Sequence, residues 1–472
     1  MRQIIFLLIG FAMIGCEPDD IDQVQSNPCN GSSQGFSLTN SSNHFEVDDQ
    51  SLTVHYVTGH PQGNYFHVFN NTGTTITNFY TFAVNNGDVS TLDQNWNTTA
   101  GSFLSVDNTP LYGSQQNPIT LTTVEGGTQV GDRILIEVAA TNNNYIEGQY
   151  CVDIDEVITL ADHYVYITDG ADLKVINVSD PYLPFTEQTV PANSGYFVEV
   201  IDHKAYVAYF DAVQPYLDIF NVATPNNVSP IQSIAKGGAY GRVSDIEEVG
   251  DYVFISDEFF GAHHLNTNNG SVFSFENHDI MSLSLMNNRI TCLGIWGGLY
   301  GFDVSNPVTP TNTNYKIDVY TAIDIASYPH TSGSFHSWIR NNGTHHFVAN
   351  VSDKKLKKVV ENPLNYSIVN ALDLSGHATA FTISGNYGFI TTRAGAQAPL
   401  QTSFDGILMV DLNNMTILDS HTLNNASGVT VKANFVYVTD LNGMHIYDMS
   451  AGTLNLVSTY APGFGNYISI NN

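Results

Sequence analysis

The sequence predicts an all-β protein: a seven-bladed β-propeller, with eight blades as the alternative, preceded by a β-sandwich-like domain. Three observations carry this. A strand pair joined by a tight turn and centred on an aromatic recurs through the last two thirds of the chain, with a period of about 45 residues. A third apolar strand follows most of these pairs. The stretch before residue 152 alternates with period two between turn signals. Hydrophobic residues are 42% of 472, enough for a sizeable core. Charged residues are only 13%, and 15 Lys plus Arg against 45 Asp plus Glu leave a net charge of −30. Such a surface repels phosphate backbones and argues against a nucleic-acid partner.

Taken in chain order, residues 1–15 read as an address. Met1-Arg2-Gln3 carries one positive charge, and Ile4 to Ile14 contains none. That apolar run suits a signal-peptide core and is too short to span a bilayer as a helix. It ends at Gly15-Cys16, within Met13-Ile14-Gly15-Cys16. This box resembles a bacterial lipoprotein signal, with Met13 in place of the usual Leu. The resemblance implies cleavage before Cys16 and lipidation of Cys16, including palmitate-type acylation. Several acyl chains would anchor the protein without a transmembrane helix. Residues 16–30 form an acidic, flexible tether, and Glu17-Pro18-Asp19-Asp20-Ile21-Asp22 resembles the surface-export tether of Bacteroidetes-type lipoproteins. The implied location is the outer membrane or cell surface. A solvated spacer is the plain alternative for the acidic run.

Residues 31–151 form the β-sandwich-like domain. Leu52-Thr53-Val54-His55-Tyr56 and Arg133-Ile134-Leu135-Ile136-Glu137-Val138 alternate, and Asn71-Thr72-Gly73 and Asn86-Gly87-Asp88 are turn signals. Cys29 and Cys151 bracket the domain, and a disulfide between them suits an oxidising compartment. Cys292, within Ile290-Thr291-Cys292-Leu293, reads as a buried small hydrophobe.

Residues 152–472 hold the repeat. The equivalent positions are Tyr166, Tyr206, Phe254, Thr291, Phe347, Phe389 and Tyr437. Their third strands include Leu173–Val178, Leu217–Val222, Gly298–Val304, Gly406–Leu412 and Gly443–Met449. The strand-and-turn Gly298-Leu299-Tyr300-Gly301-Phe302-Asp303-Val304-Ser305-Asn306-Pro307 resembles the LVIVD-repeat family of bacterial and archaeal propellers. The resemblance is good near 160 and 287 and weak over 250–286 and 335–375. It implies a propeller in a secreted or envelope protein and no single activity. Runs such as Phe435-Val436-Tyr437-Val438 are apolar on both faces, as a sheet sandwiched between two others requires. Asn177, Asn221, Asp303, Asp411 and Asp448 end the third strands, where a side-chain bond to the following turn is expected. Tyr467–Ile470 reads as a strand that joins the first blade and closes the ring. Val157–Leu160 competes for that slot or connects to the first domain.

Chemistry is sparse. His263-His264 and His345-His346 are neighbours on strands and point to opposite faces, so neither pair shares a metal easily. His330 and His336 read as surface loop residues. Glu247-Glu248 and Asp257-Glu258 read as solvated loop charge. Lys354-Lys355-Leu356-Lys357-Lys358 reads as a charged edge strand, with an anionic partner as the alternative. Hydrolase and phosphate-loop motifs are absent from the sequence. No cofactor is expected; Asn266–Gly270 is a candidate Ca²⁺ loop that lacks a full ligand pattern. The function expected is a non-enzymatic binding or scaffold role through the propeller loops, with a protein or glycan partner. The alternative is an envelope hydrolase or lyase in the central funnel, which requires His, Asp, Glu or Arg converging from several blades.

Overall fold

The computed structural model describes the strands between residues 36 and 159, with Gly59. It also describes residues 160–470 apart from 170, 193–194, 211–214, 236–242, 259, 296, 319–336, 352–353, 363–364, 395–403 and 462–466. The Cys16 anchor, the tether, Cys29, His330 and His336 lie outside the described residues, and so does the side chain of Cys151. Among the described residues there is one 3-10 turn, Pro225–Asn227, and no α-helix. No helix there is long and apolar enough to cross a membrane.

The chain divides between Thr159 and Leu160. The first unit holds two four-stranded sheets and a two-stranded one. Strand Glu156–Thr159 pairs in parallel with Leu52–Thr58, so it belongs to this unit. Of the two roles open to Val157–Leu160, connection is the one observed.

The second unit is a seven-bladed propeller. Each blade is a four-stranded antiparallel sheet, inner strand first. Blade 2 is Gly195–Ile201, Lys204–Phe210, Pro215–Asn221 and Ser229–Ala235. Blades 3 and 4 begin with Val243–Val249 and Ile280–Met286, blade 5 with Trp338–Asn341, and blades 6 and 7 with His377–Ser384 and Gly428–Lys432. Blade 1 takes its outer three strands, Tyr164–Thr168, Asp172–Asn177 and Phe185–Pro191, from the start of the unit. Its inner strand, Tyr467–Ile470, comes from the end. Successive inner strands touch one another around the whole circle. The ring therefore closes by pairing both ends of the unit in one sheet, which leaves no open blade face. Both segments of weak resemblance, 250–286 and 335–375, complete full blades.

The second strand of each blade is dry on both faces. Blade 7's second strand Phe435–Asp440 is buried from Val436 onward, and Tyr166, Tyr206, Phe254, Phe347, Phe389 and Tyr437 are all buried. Truncating one such aromatic costs ~3–5 kcal/mol. Tight turns join inner to second strands: Asp202 and His203 both have positive φ, as do Asn287 and Asn288, the pattern of a type I′ turn. Four of the seven third strands start on glycine, and at Gly443 the reason is steric. A Cβ on Gly443 (φ +138°) would meet the carbonyl oxygen of Tyr460 on the outer strand at 2.4 Å.

The expected turn bonds are all present. Asn177, Asn221, Asp303, Asp411 and Asp448 each accept the backbone N–H two residues on, at 2.8–3.0 Å. Asn266 does the same to Asn268 in blade 3. The lysine cluster differs from expectation. Lys355–Asn362 is a third strand, paired on both sides, not an edge. Its charges are accommodated one at a time: Lys357 is buried, Lys358 donates to the Leu412 carbonyl at 3.3 Å, and Lys355 faces Asp373 at 3.6 Å. Cys292 is free and buried, and burial pushes its thiol pKa up.

Candidate binding site in the propeller channel

The repeat position defines the site. The residue directly opposite each repeat position, six aromatics and Thr291, lies on the inner strand at one depth of the channel. Tyr166 faces Ser469, Tyr206 faces Glu199, Phe254 faces Glu247, and Thr291 faces Ser284. Phe347 faces Arg340, Phe389 faces Thr382, and Tyr437 faces Thr430. One residue from every blade thus meets at one level, and all seven are polar. Glu199, Glu247, Arg340, Thr382 and Thr430 keep partial exposure at the centre of the molecule, while Ser284 and Ser469 are buried.

Two residues earlier on the inner strands, blades 1, 2 and 5 place the rings of Tyr467, Phe197 and Trp338, and blades 3, 4, 6 and 7 place Asp245, Ser282, Ala380 and Gly428. Phe197 packs edge-on to Tyr467 at 5.5 Å, and Trp338 lies 6.3 Å from Tyr467. All three are buried. Trp338 is fixed by its indole N–H to the Thr379 carbonyl at 2.9 Å. The polar level is therefore backed by three rings in one part and by Asp245 and Ser282 in another. Its other side faces the two-residue turns.

Arg340 organises the charges. Its guanidinium lies 4.8 Å from the Trp338 ring centroid and forms a two-point ion pair with Asp245 of blade 3, at 2.6 and 3.1 Å. It also donates to the carbonyls of Leu283 and Ile339 and to Ser282 Oγ. Asp245 accepts in addition from Ser282 Oγ and from the Leu283 N–H at 2.9 Å. Three blades are tied together by this one pair. Glu247 accepts the Leu285 N–H at 3.2 Å, and Glu199 accepts from Ser469 Oγ at 3.3 Å. Burial pushes Glu199 up to about 7; Arg340 opposes the rise and Asp245 adds to it. Burial and then Asp245 push Glu247 up to about 8, against Arg340. Burial, beside a single cation shared with other carboxyl groups, thus raises both glutamates above the ordinary carboxylate range.

Glu247 is thus a channel group, not the solvated loop charge expected. Glu248 points the other way, 3.8 Å from Lys204. Asp257 and Glu258 are also buried, with Asp257 3.9 Å from His263. The histidine neighbours do face apart. His264 sits among Tyr252, Phe254, Phe273 and Phe275 and bonds the Pro307 carbonyl at 2.7 Å. His345 bonds Thr344 Oγ1, while His346 is fully buried.

His346 forms a line that resembles a nucleophile, base and orienting acid: Ser284 Oγ lies 3.3 Å from Nδ1, and Glu361 Oε2 lies 3.7 Å from Nε2. Ser284 and His346 are fully buried, and Asn341 donates to Ser284 Oγ at 2.8 Å. Thr291, Tyr366 and Arg289 complete the network. No substrate atom can approach that hydroxyl; the line fastens blade 4 to blade 5. No group of three metal-ligating side chains occurs among the described residues. In the Asn266–Gly270 turn, Asn266 and Asn269 spend their side-chain oxygens on the turn's own N–H groups.

The sequence reading missed Glu199, Asp245 and Arg340. A signal was available. Each ring residue of blades 2–7 stands seven places before its repeat aromatic, because the hairpins share one register.

The molecule is a repeat protein of the propeller class, closed through its C-terminal strand. Residues 156–188 and 424–461 match the family profile of the LVIVD repeat. The second segment spans blade 7, and the first runs from Glu156–Thr159 of the first unit into the outer three strands of blade 1. No curated protein matches the chain. A Bacteroides fragilis structure described as a candidate 6-phosphogluconolactonase aligns with TM-score 0.50 and 9% identity, over 66% of this chain and 98% of that one. A Bacteroides uniformis structure of the same description gives 0.51 and 9%, over 66% and 100%. At this identity the likeness is one of fold.

Proposed function

We propose that the protein is a lipid-anchored cell-surface binding protein, without catalytic activity, that takes a neutral or cationic polar ligand in the propeller channel. Its loops serve a protein or glycan partner. The observation that carries this is the all-polar level of seven equivalent positions, with the rings of Phe197, Trp338 and Tyr467 beside it. Hydroxyls and protonated carboxyls both donate and accept, which suits a hydroxyl-rich ligand. The single guanidinium is already matched by Asp245, so an anion gains little there. The antiparallel topology puts the two-residue turns at one face. The longest connections, 319–337 and 394–405, leave from the other. The Ile4–Cys16 segment supports the anchor.

The test is a glycan array and surface-protein pulldown with the mature chain, against the Thr382→Val/Thr430→Val variant. The proposal expects a neutral or amino-sugar ligand whose binding falls at least tenfold in the variant. A ligand bound equally by both forms, or no ligand at all, would overturn the channel reading.

A second reading is hydrolysis in the channel. Glu199, Asp245, Glu247 and Arg340 do converge from three blades, as that reading requires. A phosphorylated lactone, the substrate named for the Bacteroides neighbours, is disfavoured by the surplus of carboxyl groups. Turnover of glycosides or lactones that is lost in Glu247→Gln would establish this reading over the first.

A further inference from the structure

At the junction of blades 3 and 4 an exposed histidine is held at several points. The outer strand Val272–Glu276 ends there and the inner strand Ile280–Met286 begins, so Asn277-His278-Asp279 lies at the face opposite the two-residue turns. Glu276 is buried. Its Oε1 accepts three times: from the Asn277 N–H at 2.8 Å, from the His278 N–H at 2.9 Å, and from His278 Nδ1. A carboxylate only accepts, so the imidazole carries hydrogen on Nδ1 and turns Nε2 away from Glu276. Among the described residues nothing bonds Nε2.

The ring is also seated from below. It stacks on Tyr300, in the third strand of blade 4, with centroids 4.7 Å apart and planes 20° apart. Glycines make room for that tyrosine. A Cβ on Gly294 would stand 2.9 Å from its ring, and one on Gly298 would stand 2.8 Å from its hydroxyl. Yet the His278 side chain stays 61% exposed. Fixing an exposed side chain costs rotamer freedom and gains little burial. The result is a preorganised ring platform that bridges two blades and has a hydrogen-bonding edge.

We propose that His278 is the stacking platform of a second binding site, which takes a pyranose ring of a neutral or amino-bearing glycan. The apolar face of such a ring covers the imidazole, and its hydroxyls reach Nε2 and the exposed Asn277 amide. The net charge of −30 disfavours phosphorylated, sulfated and uronic glycans. The inference rests on the glycan-partner part of the proposed function and names the surface that meets that partner. The channel level is a separate site, turned toward the other face.

The experiment probes an array of neutral oligosaccharides, chitosan oligomers and oligogalacturonates. It compares the mature chain with His278→Ala, His278→Phe and the Thr382→Val/Thr430→Val channel variant. The expected result is a neutral or amino-bearing glycan whose binding falls at least tenfold in His278→Ala and is unchanged in the channel variant. It falls less in His278→Phe, which keeps a ring. In histidine-labelled natural protein the His278 Hε1 signal shifts when that glycan is added, which a purely structural histidine would not show. Full binding by His278→Ala would overturn the proposal. So would binding confined to oligogalacturonates, or a surface protein captured through His278 with no glycan bound. A glycan lost only in the channel variant overturns this site and leaves the channel reading standing; no glycan at all overturns both. Should His278→Ala not fold, an unshifted Hε1 signal with glycan bound overturns the proposal equally.

Discussion

Replacing Arg340 by methionine tests the charge cluster at its centre. The substitution keeps most of the side-chain volume and removes the guanidinium. Asp245, 2% exposed, would lose both bonds of its ion pair and keep neutral donors, Ser282 Oγ and the N–H groups of Leu283 and Ile246. Breaking a buried pair by removing one partner costs ~3–5 kcal/mol, because a buried charge is left uncompensated. The Arg340 side chain is 22% exposed, so solvent screening takes little from that figure. The carbonyls of Leu283 and Ile339 also lose a donor. Arg340→Met should therefore destabilise the propeller by about 3–5 kcal/mol in urea melts at pH 7. Asp245→Asn/Arg340→Met removes both charges, and a coupling energy of at least ~2 kcal/mol should appear in the double-mutant cycle. A loss below about 1 kcal/mol in Arg340→Met, or additive effects in the double variant, would refute the claim that one ion pair ties three blades.

Other outcomes follow from the same structure. Glu199 and Glu247 bind protons more tightly folded than unfolded, so stability should be greatest below about pH 4.5 from these groups and decline as pH rises through about 7 and 8; thermal melts across pH 5–9 should show the midpoint falling, and Glu199→Gln/Glu247→Gln should flatten the slope. Asn177→Ala removes the buried acceptor for the Ser179 N–H and should cost ~1–2 kcal/mol in the same urea assay. Gly443→Ala forces a Cβ against the Tyr460 carbonyl at a positive φ and should destabilise the propeller by more than the ~1 kcal/mol typical of a point change. Cys16→Ala should release the protein from the membrane fraction of its native cell into the soluble envelope fraction.

Much of the propeller was legible because the blades repeat what burial requires. The aromatic at Tyr206, Phe254 or Tyr437 is wedged between two sheets and cannot vary freely, so its period survives in the sequence. Asp202-His203 and Asn287-Asn288 marked their turns for a backbone reason: both positions need positive φ. The strand Tyr467–Ile470 stood out as an inner strand with no hairpin partner after it, which is what a closing strand looks like. The channel level was not legible as such. Glu199, Ser284, Arg340 and Thr382 share a depth but no chemistry, since each meets its own neighbouring blades rather than a constant partner. Register, which only pairing fixes, is what aligns them. The lysines of Lys355–Asn362 misled for a related reason. Charge on a strand suggests an edge, but Lys358 here reaches a carbonyl of the next blade, and its ammonium lies 5.8 Å from the Phe347 ring centroid.

The central claim is that the chain's last strand completes its first blade and so closes a sevenfold ring. A paired-cysteine variant, Val165→Cys/Ile470→Cys, tests it most directly, because these residues are opposite partners within disulfide reach. Under mild oxidation, peptide mapping should recover the two segments as one cross-linked species, at high yield and without loss of monomer. Failure to cross-link in folded protein, or linkage only between separate chains, would contradict closure by Tyr467–Ile470.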